Sequence, residues 1–112
     1  MLIPPDALVA SPRPHRARWL LNRLARALRR QGCTVDRRYF ETRPMLRVFF
    51  PAMPCLGDSI TVVGGSGGWW YRSSTGELLA PCSRADLAAG RVSASLAWWV
   101  LAARSSMELD GS

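Results

Sequence analysis

Ser59-Ile60-Thr61-Val62-Val63-Gly64-Gly65-Ser66-Gly67-Gly68-Trp69-Trp70-Tyr71-Arg72-Ser73 is the stretch whose reading decides the fold. Residues 59–63 and 69–73 are rich in β-branched and aromatic side chains, whose bulk at Cβ suits a pleated strand better than a helix. Between them lie four glycines and one serine, which supply the conformational freedom of a reversal and nothing to sustain a helix. The pair therefore reads as an antiparallel hairpin with a flexible tip.

Upstream of the hairpin, Thr34 to Phe40 and Met45 to Phe50 alternate as strands joined around Thr42-Arg43-Pro44, and Pro51 and Pro54 close the second. Downstream, Leu78 to Ala80 supplies a short fifth strand before Pro81. The flanks read as helices. From His15 to Arg30, Ala17, Leu20, Leu21, Leu24 and Leu28 recur on one face, as an amphipathic helix requires. Ser11-Pro12 predicts an N-cap followed by proline at the first helical position, with Pro14 in the same turn, and Gly32 is placed to end the helix in a left-handed conformation. The last helix is expected over Arg84 to Arg104, opened by Ser83-Arg84-Ala85-Asp86 as a capping box with Asp in place of Glu. Residues 1–10 read as an irregular arm and 105–112 as a flexible tail. The order predicts one α+β domain over 11–104: an N-terminal helix, an antiparallel β-meander of three to five strands and a C-terminal helix, with both helices on one face of the sheet.

That last helix is apolar on two sides. Ala85, Ala88, Ala89, Val92, Leu96, Trp99 and Ala103 form one stripe, while Leu87, Ala94, Trp98 and Leu101 form a second roughly opposite. One stripe packs on the sheet. The other packs within the chain, or pairs with a second copy in a homodimer, because an uncovered Trp98 and Leu101 invite aggregation.

A chain of 112 residues with 48% apolar content suits a single small domain that buries about two thirds of its unfolded surface. Its charge is uneven. Eleven of fifteen arginines lie in the first 47 residues against three acids, giving this half a formal charge of +8, while residues 48–112 carry −1. Every basic side chain is Arg and none is Lys, a bias that codon usage and bidentate anion binding would both produce. Cys33, Cys55 and Cys82 are odd in number and form no C-x-x-C pair, so neither a disulfide framework nor a zinc ribbon is expected. The N-terminus carries no signal-peptide pattern, and no apolar run approaches a membrane span. A soluble, unprocessed cytoplasmic protein is the expectation.

Catalytic signatures are absent from the sequence. Gly57-Asp58-Ser59-Ile60 resembles the nucleophile block of GDS-type esterases, but the only histidine, His15, lies upstream, no Asp-x-x-His follows, and the chain is too short for that fold. The glycine run leads into a strand and not a helix, and lacks Gly-Lys-Ser/Thr, so it reads as a hairpin tip and not a phosphate loop. A metal site from Cys33, Cys55, Cys82 and His15 would need four separate segments to converge. Asp36, Glu41, Asp58 and Glu77 form no acid/base dyad by spacing. Neither catalytic residue, metal nor cofactor is expected.

The basic surface is the candidate for function. Arg23, Arg26 and Arg30 cluster opposite the leucine stripe, and Trp19 falls among them instead of on the apolar side. Trp19 lies one turn before Arg23 and two before Arg26, the spacing of a cation–π ladder. Arg37, Arg38, Arg43 and Arg47 continue the charge onto the first strands. The set Trp19, Arg23, Arg26, Arg30, Arg37 and Arg47 reads as a surface for an acidic partner, protein or nucleic acid. The alternative is a solvated Arg face with Trp19 covered by the N-terminal arm.

In element order and positive charge the chain resembles the double-stranded RNA-binding domain, but that family carries Lys at the start of its second helix, where this chain has Ser83-Arg84-Ala85-Asp86-Leu87. A closer likeness rests on Pro44-Met45-Leu46-Arg47-Val48, Pro51-Ala52-Met53-Pro54, Asp58-Ser59-Ile60-Thr61-Val62 and Trp69-Trp70-Tyr71-Arg72-Ser73-Ser74-Thr75-Gly76. In these the chain is similar, over residues 15 to 103, to a group of small uncharacterised α-β-β-β-α proteins of high-GC Gram-positive bacteria. The resemblance implies the fold and no activity; Cys82 and the longer apolar helix depart from the group's pattern.

Two functions are thus expected in competition. One is a non-enzymatic regulatory or adaptor protein, dimeric through its C-terminal helix, that binds an acidic partner through the Arg-rich helix. The other is a small-molecule binding protein or minor enzyme with an aromatic pocket between sheet and C-terminal helix, drawn from Trp69, Tyr71, Trp98, Trp99 and Leu101.

Overall fold

The computed structural model describes residues 12–40, 42–65 and 67–110. Helix α1 spans Pro14–Arg30. It begins two residues later than the sequence predicts, because Arg13 precedes a proline and is held out of the helical region, at φ −57° and ψ 148°. Arg13 is thus the N-cap, with no side-chain capping bond, and Pro14 takes the first helical position. Ser11 and the expected arm 1–10 lie outside the described residues. At the other end the prediction holds. Gly32 has φ +83°; its N–H donates to Arg29 O and that of Cys33 to Leu28 O, the paired bonds of a Schellman motif.

Five strands follow: β1 Thr34–Arg38, β2 Met45–Phe49, β3 Gly57–Gly65, β4 Gly68–Arg72 and β5 Leu78–Pro81. They form one antiparallel meander in the order β1-β2-β3-β4-β5. The hairpin at its centre pairs Thr61 with Arg72, Val63 with Trp70 and Gly65 with Gly68, so β3 runs two residues and β4 one residue further toward the glycine tip than expected. β1 stops before Tyr39, whose hydroxyl donates instead to Asn22 Oδ1 on α1 at 2.7 Å.

A 3-10 turn, Cys82–Arg84, leads into helix α2, Ala85–Asp110. The expected capping box does not form. Ser83 lies within the 3-10 turn, whereas an N-cap residue must hold the extended conformation that here belongs to Pro81, at φ −59° and ψ 148°. α2 continues past Arg104, so the segment expected as a flexible tail is helical to Asp110.

The register sorts the sheet into two faces. Leu46, Val48, Ile60, Val62, Tyr71 and Ala80 point to the helices and join Leu20, Leu21, Leu24 and Leu28 of α1 with Ala88, Ala89, Val92 and Leu96 of α2 in one core. A fully buried leucine contributes about 1.5–3 kcal/mol by leaving water. Both helices therefore pack on one face of an α+β sheet. Tyr71 is fully buried there and donates its hydroxyl to Leu20 O at 2.6 Å, tying β4 to α1.

One carboxylate lies in this interior. Asp58, 3% exposed, accepts hydrogen bonds from Ser73 Oγ at 2.6 Å, Ser74 N at 3.0 Å and Ser74 Oγ at 2.6 Å. It clamps the turn between β4 and β5 to β3. Within Gly57-Asp58-Ser59-Ile60 the aspartate is thus a structural anchor, and Ser59 points to the opposite face.

Candidate functional site

Along α1, residues at spacings of three and four share a stripe, and here that stripe is Arg16, Trp19, Arg23, Arg26 and Arg30. It runs beside the leucines that face the sheet, so burial of those leucines forces the guanidinium groups outward. Trp19 is 51% exposed. The Arg16 guanidinium carbon lies 5.0 Å from the centre of its ring and that of Arg23 lies 5.3 Å away, a distance at which the ring quadrupole attracts the cation. The ring contacts thus run from Arg16 through Trp19 to Arg23, in place of the expected ladder of Trp19, Arg23 and Arg26. The sequence reading left out Arg16, although its i,i+3 spacing to Trp19 was the signal that pointed to it.

Arg23, Arg26 and Arg30 line a cleft of about 270 Å³ whose other wall is Ser83 of the 3-10 turn with Ala85 and Asp86 at the start of α2. Among the described residues the two ion pairs are Arg38–Asp36 at 3.2 Å and Arg84–Asp86 at 3.5 Å, so neither uses an arginine of α1. Asp86 is the one acid in the cleft wall. Its carboxyl is held below the usual carboxylate range, first by the backbone N–H of Leu87 and with help from Arg84, so it stays ionised and engaged. The cleft sets three exposed guanidinium groups side by side, across from Asp86.

The remaining basic residues are placed elsewhere. Arg37 sits on the helix side of β1, where its Nε donates to Asn22 Oδ1 at 3.0 Å. It shares that oxygen with Tyr39, whose hydroxyl is pushed up by burial against the opposing pull of Arg37, Arg18 and Arg29. Arg47 alternates with Leu46 and Val48 and so projects from the opposite face of the sheet. The structure brings Trp19, Arg23, Arg26 and Arg30 together, sets Arg37 at the other flank of α1, and leaves Arg47 on another surface.

The five residues expected to form an aromatic pocket are also dispersed, with Trp99 half-buried against the core. Tyr71 is part of the core and Trp69 packs against it, whereas Trp98 and Leu101 are 69% and 59% exposed on the outer side of α2. Cys82 and Tyr71 are both buried in the core. Burial pushes the Cys82 thiol up to about 12 and raises the Tyr71 hydroxyl as well, so both remain protonated and inert at neutral pH. Cys33, Cys55 and Cys82 are all unpaired. Among the described residues no group of three His, Cys, Asp or Glu is arranged to hold a metal ion, and no helix is long and apolar enough to cross a membrane. Comparison with known proteins finds no matching family model, no matching curated protein and no matching solved structure.

Proposed function

We propose that the protein is a non-enzymatic regulatory or adaptor protein that binds an acidic partner, a protein surface or nucleic acid, through the Arg-rich face of α1. The observation that carries this reading is the exposed Trp19 ring held between Arg16 and Arg23, continuous with the Arg23, Arg26 and Arg30 wall of the cleft. An indole left half in water at the centre of a positive stripe is an anchor for a partner whose acidic groups neutralise the guanidinium groups. Arginine suits this task because its fork pairs carboxylates and phosphates bidentately. The reading includes a cytoplasmic location, which the three unpaired thiols favour.

Charge reversal tests it. The Arg23→Glu/Arg26→Glu/Arg30→Glu variant keeps its thermal midpoint, since the three side chains are exposed, and loses binding to a labelled Glu-rich peptide and to duplex DNA alike. A folded variant that binds both probes as the parent does refutes the proposal. With the parent, a log–log salt slope of about −2.7 on duplex, the value for three phosphate contacts, marks nucleic acid as the partner; preference for the peptide marks a protein.

The same reading includes self-association through α2. Trp98 and Leu101 project from a stretch, residues 92–103, without a single charged side chain, and such a helix face is relieved by pairing with its own copy. Sedimentation equilibrium should give a dimer for the parent and a monomer for Leu101→Glu; a parent that stays monomeric at high concentration removes this part of the reading.

A further inference from the structure

The second face of the sheet is covered by neither helix. Register places Thr34, Asp36 and Arg38 of β1, Met45, Arg47 and Phe49 of β2, Ser59, Thr61 and Val63 of β3, and Trp70 and Arg72 of β4 on it. Along β3 the neighbours change in order. Phe49 stands beside Gly57 and Arg47 beside Ser59 on the β2 side, then Arg72 beside Thr61 and Trp70 beside Val63 on the β4 side. The result is a diagonal track of ring, guanidinium, guanidinium, ring that spans about 20 Å at 3.3 Å per residue.

Two glycines shape the track. A Cβ at Gly65 would collide with the Trp70 ring, lying 2.8 Å from its Nε1, so the bare glycine leaves room for the indole against the hairpin. A Cβ at Gly57 would sit 3.3 Å from Arg47 Nη2, so Arg47 likewise leans over open backbone. Beside it, Arg38, Met45, Arg47 and Ser59 line a depression of about 310 Å³. The charge of the face is unbalanced: Arg38, Arg47 and Arg72 stand against Asp36, which pairs with Arg38.

We infer that this sheet face, opposite the two helices, binds single-stranded nucleic acid, with bases stacking on Phe49 and Trp70 and phosphates meeting Arg47 and Arg72. Aromatic rings gain stacking from unpaired bases, whose faces a duplex keeps within its own stack. Arg47 and Arg72, whose register positions fall between those of the rings, supply positive charge for the backbone that joins those bases. This site lies on the opposite side of the molecule from the α1 stripe and does not depend on it.

Fluorescein-labelled oligo-uridine and oligo-thymidine of about ten nucleotides, a duplex of the same length and a Glu-rich peptide are titrated into the full chain. Saturable binding of the single strands, with quenching of tryptophan emission and weaker binding of duplex, is the expected result. Trp70→Leu should weaken it about tenfold and Arg47→Glu/Arg72→Glu about 100-fold. Because Trp70 also shields Val63, Gly65→Val provides a second route: it displaces the ring with no change of charge and should lower affinity by a similar factor. The Arg23→Glu/Arg26→Glu/Arg30→Glu variant should retain most single-strand binding, so failure at the sheet and failure at α1 are read separately. The inference is overturned by no single-strand binding at about 100 μM protein in low salt, by loss only in the α1 variant, or by peptide binding as tight as that of the oligonucleotides.

Discussion

Helices α1 and α2 pack side by side on one sheet, yet they divide the work of burial differently. α1 turns seven apolar residues inward and sets arginine across most of the remaining surface, so its two sides face opposite solvents. α2 buries Ala88, Ala89, Val92, Leu96 and Val100 and still carries Trp98 and Leu101 on its outer side. An amphipathic helix has one stable orientation, whereas a helix apolar all round is oriented by its neighbours. α1 is placed by its own pattern, and α2 by the surface it packs against.

That contrast can be broken, and the largest expected effect lies in the core. Leu24 of α1 and Leu96 of α2 are both fully buried, so Leu24→Ala and Leu96→Ala should each lower unfolding free energy by about 3–5 kcal/mol in urea titrations. A loss below about 1 kcal/mol at Leu96 would mean that α2 docks loosely and that the difference between the helices is greater than the structure indicates.

The junction leading into α2 should respond to alkali. Cys82 has an ordinary value of 9.0 that burial first of all raises to about 12 in the folded chain, so the folded state holds its proton more tightly than the unfolded one. Stability from this thiol is complete below pH 9 and is lost as pH rises toward 12. Thermal midpoints measured across this window should fall for the parent, and less steeply for Cys82→Ala. An unchanged slope would show that the thiol is not sheltered in the fold.

Glycines give a finer comparison. Gly32 ends α1 with φ +83°, and alanine there should cost about 1 kcal/mol. Gly90 sits within α2 where an added Cβ meets nothing within 4 Å, and alanine there should stabilise by about 0.5–1 kcal/mol. Opposite signs from one substitution separate a helix stop from a helix interior. The smallest effect is expected on the outer side of α2: Leu101→Ala should change monomer stability by less than about 0.5 kcal/mol. A cost comparable to that of Leu96→Ala at high protein concentration alone would show a second copy covering this face.

Much of the frame was legible because it rests on local rules. The leucine period of α1, Gly32 at its end and the β-branched and aromatic runs around the glycines each depend on nearest neighbours in the chain. The boundaries that moved did so for reasons at longer range or of finer detail. Tyr39 left β1 to reach Asn22 across the sheet–helix interface, and Pro14 displaced the N-cap to Arg13. Within the candidate site, Trp19 and its arginines could be placed together because one helix carries them. Arg37 and Arg47 could not be assigned to it, because a strand sends alternate residues to opposite faces and only pairing reveals which is which.

By itself the sequence determined the order of elements, the meander, the inward face of α1 and the positive stripe along its outward side, since each follows from spacing on a single element. Only the tertiary structure decided which rings are buried, that Asp58 is held by Ser73 and Ser74, and that Phe49, Arg47, Arg72 and Trp70 share the sheet face that neither helix covers. Those facts depend on strand register and on which side the helices take. Both are settled when separate segments bury apolar surface against one another, and no one segment contains that choice.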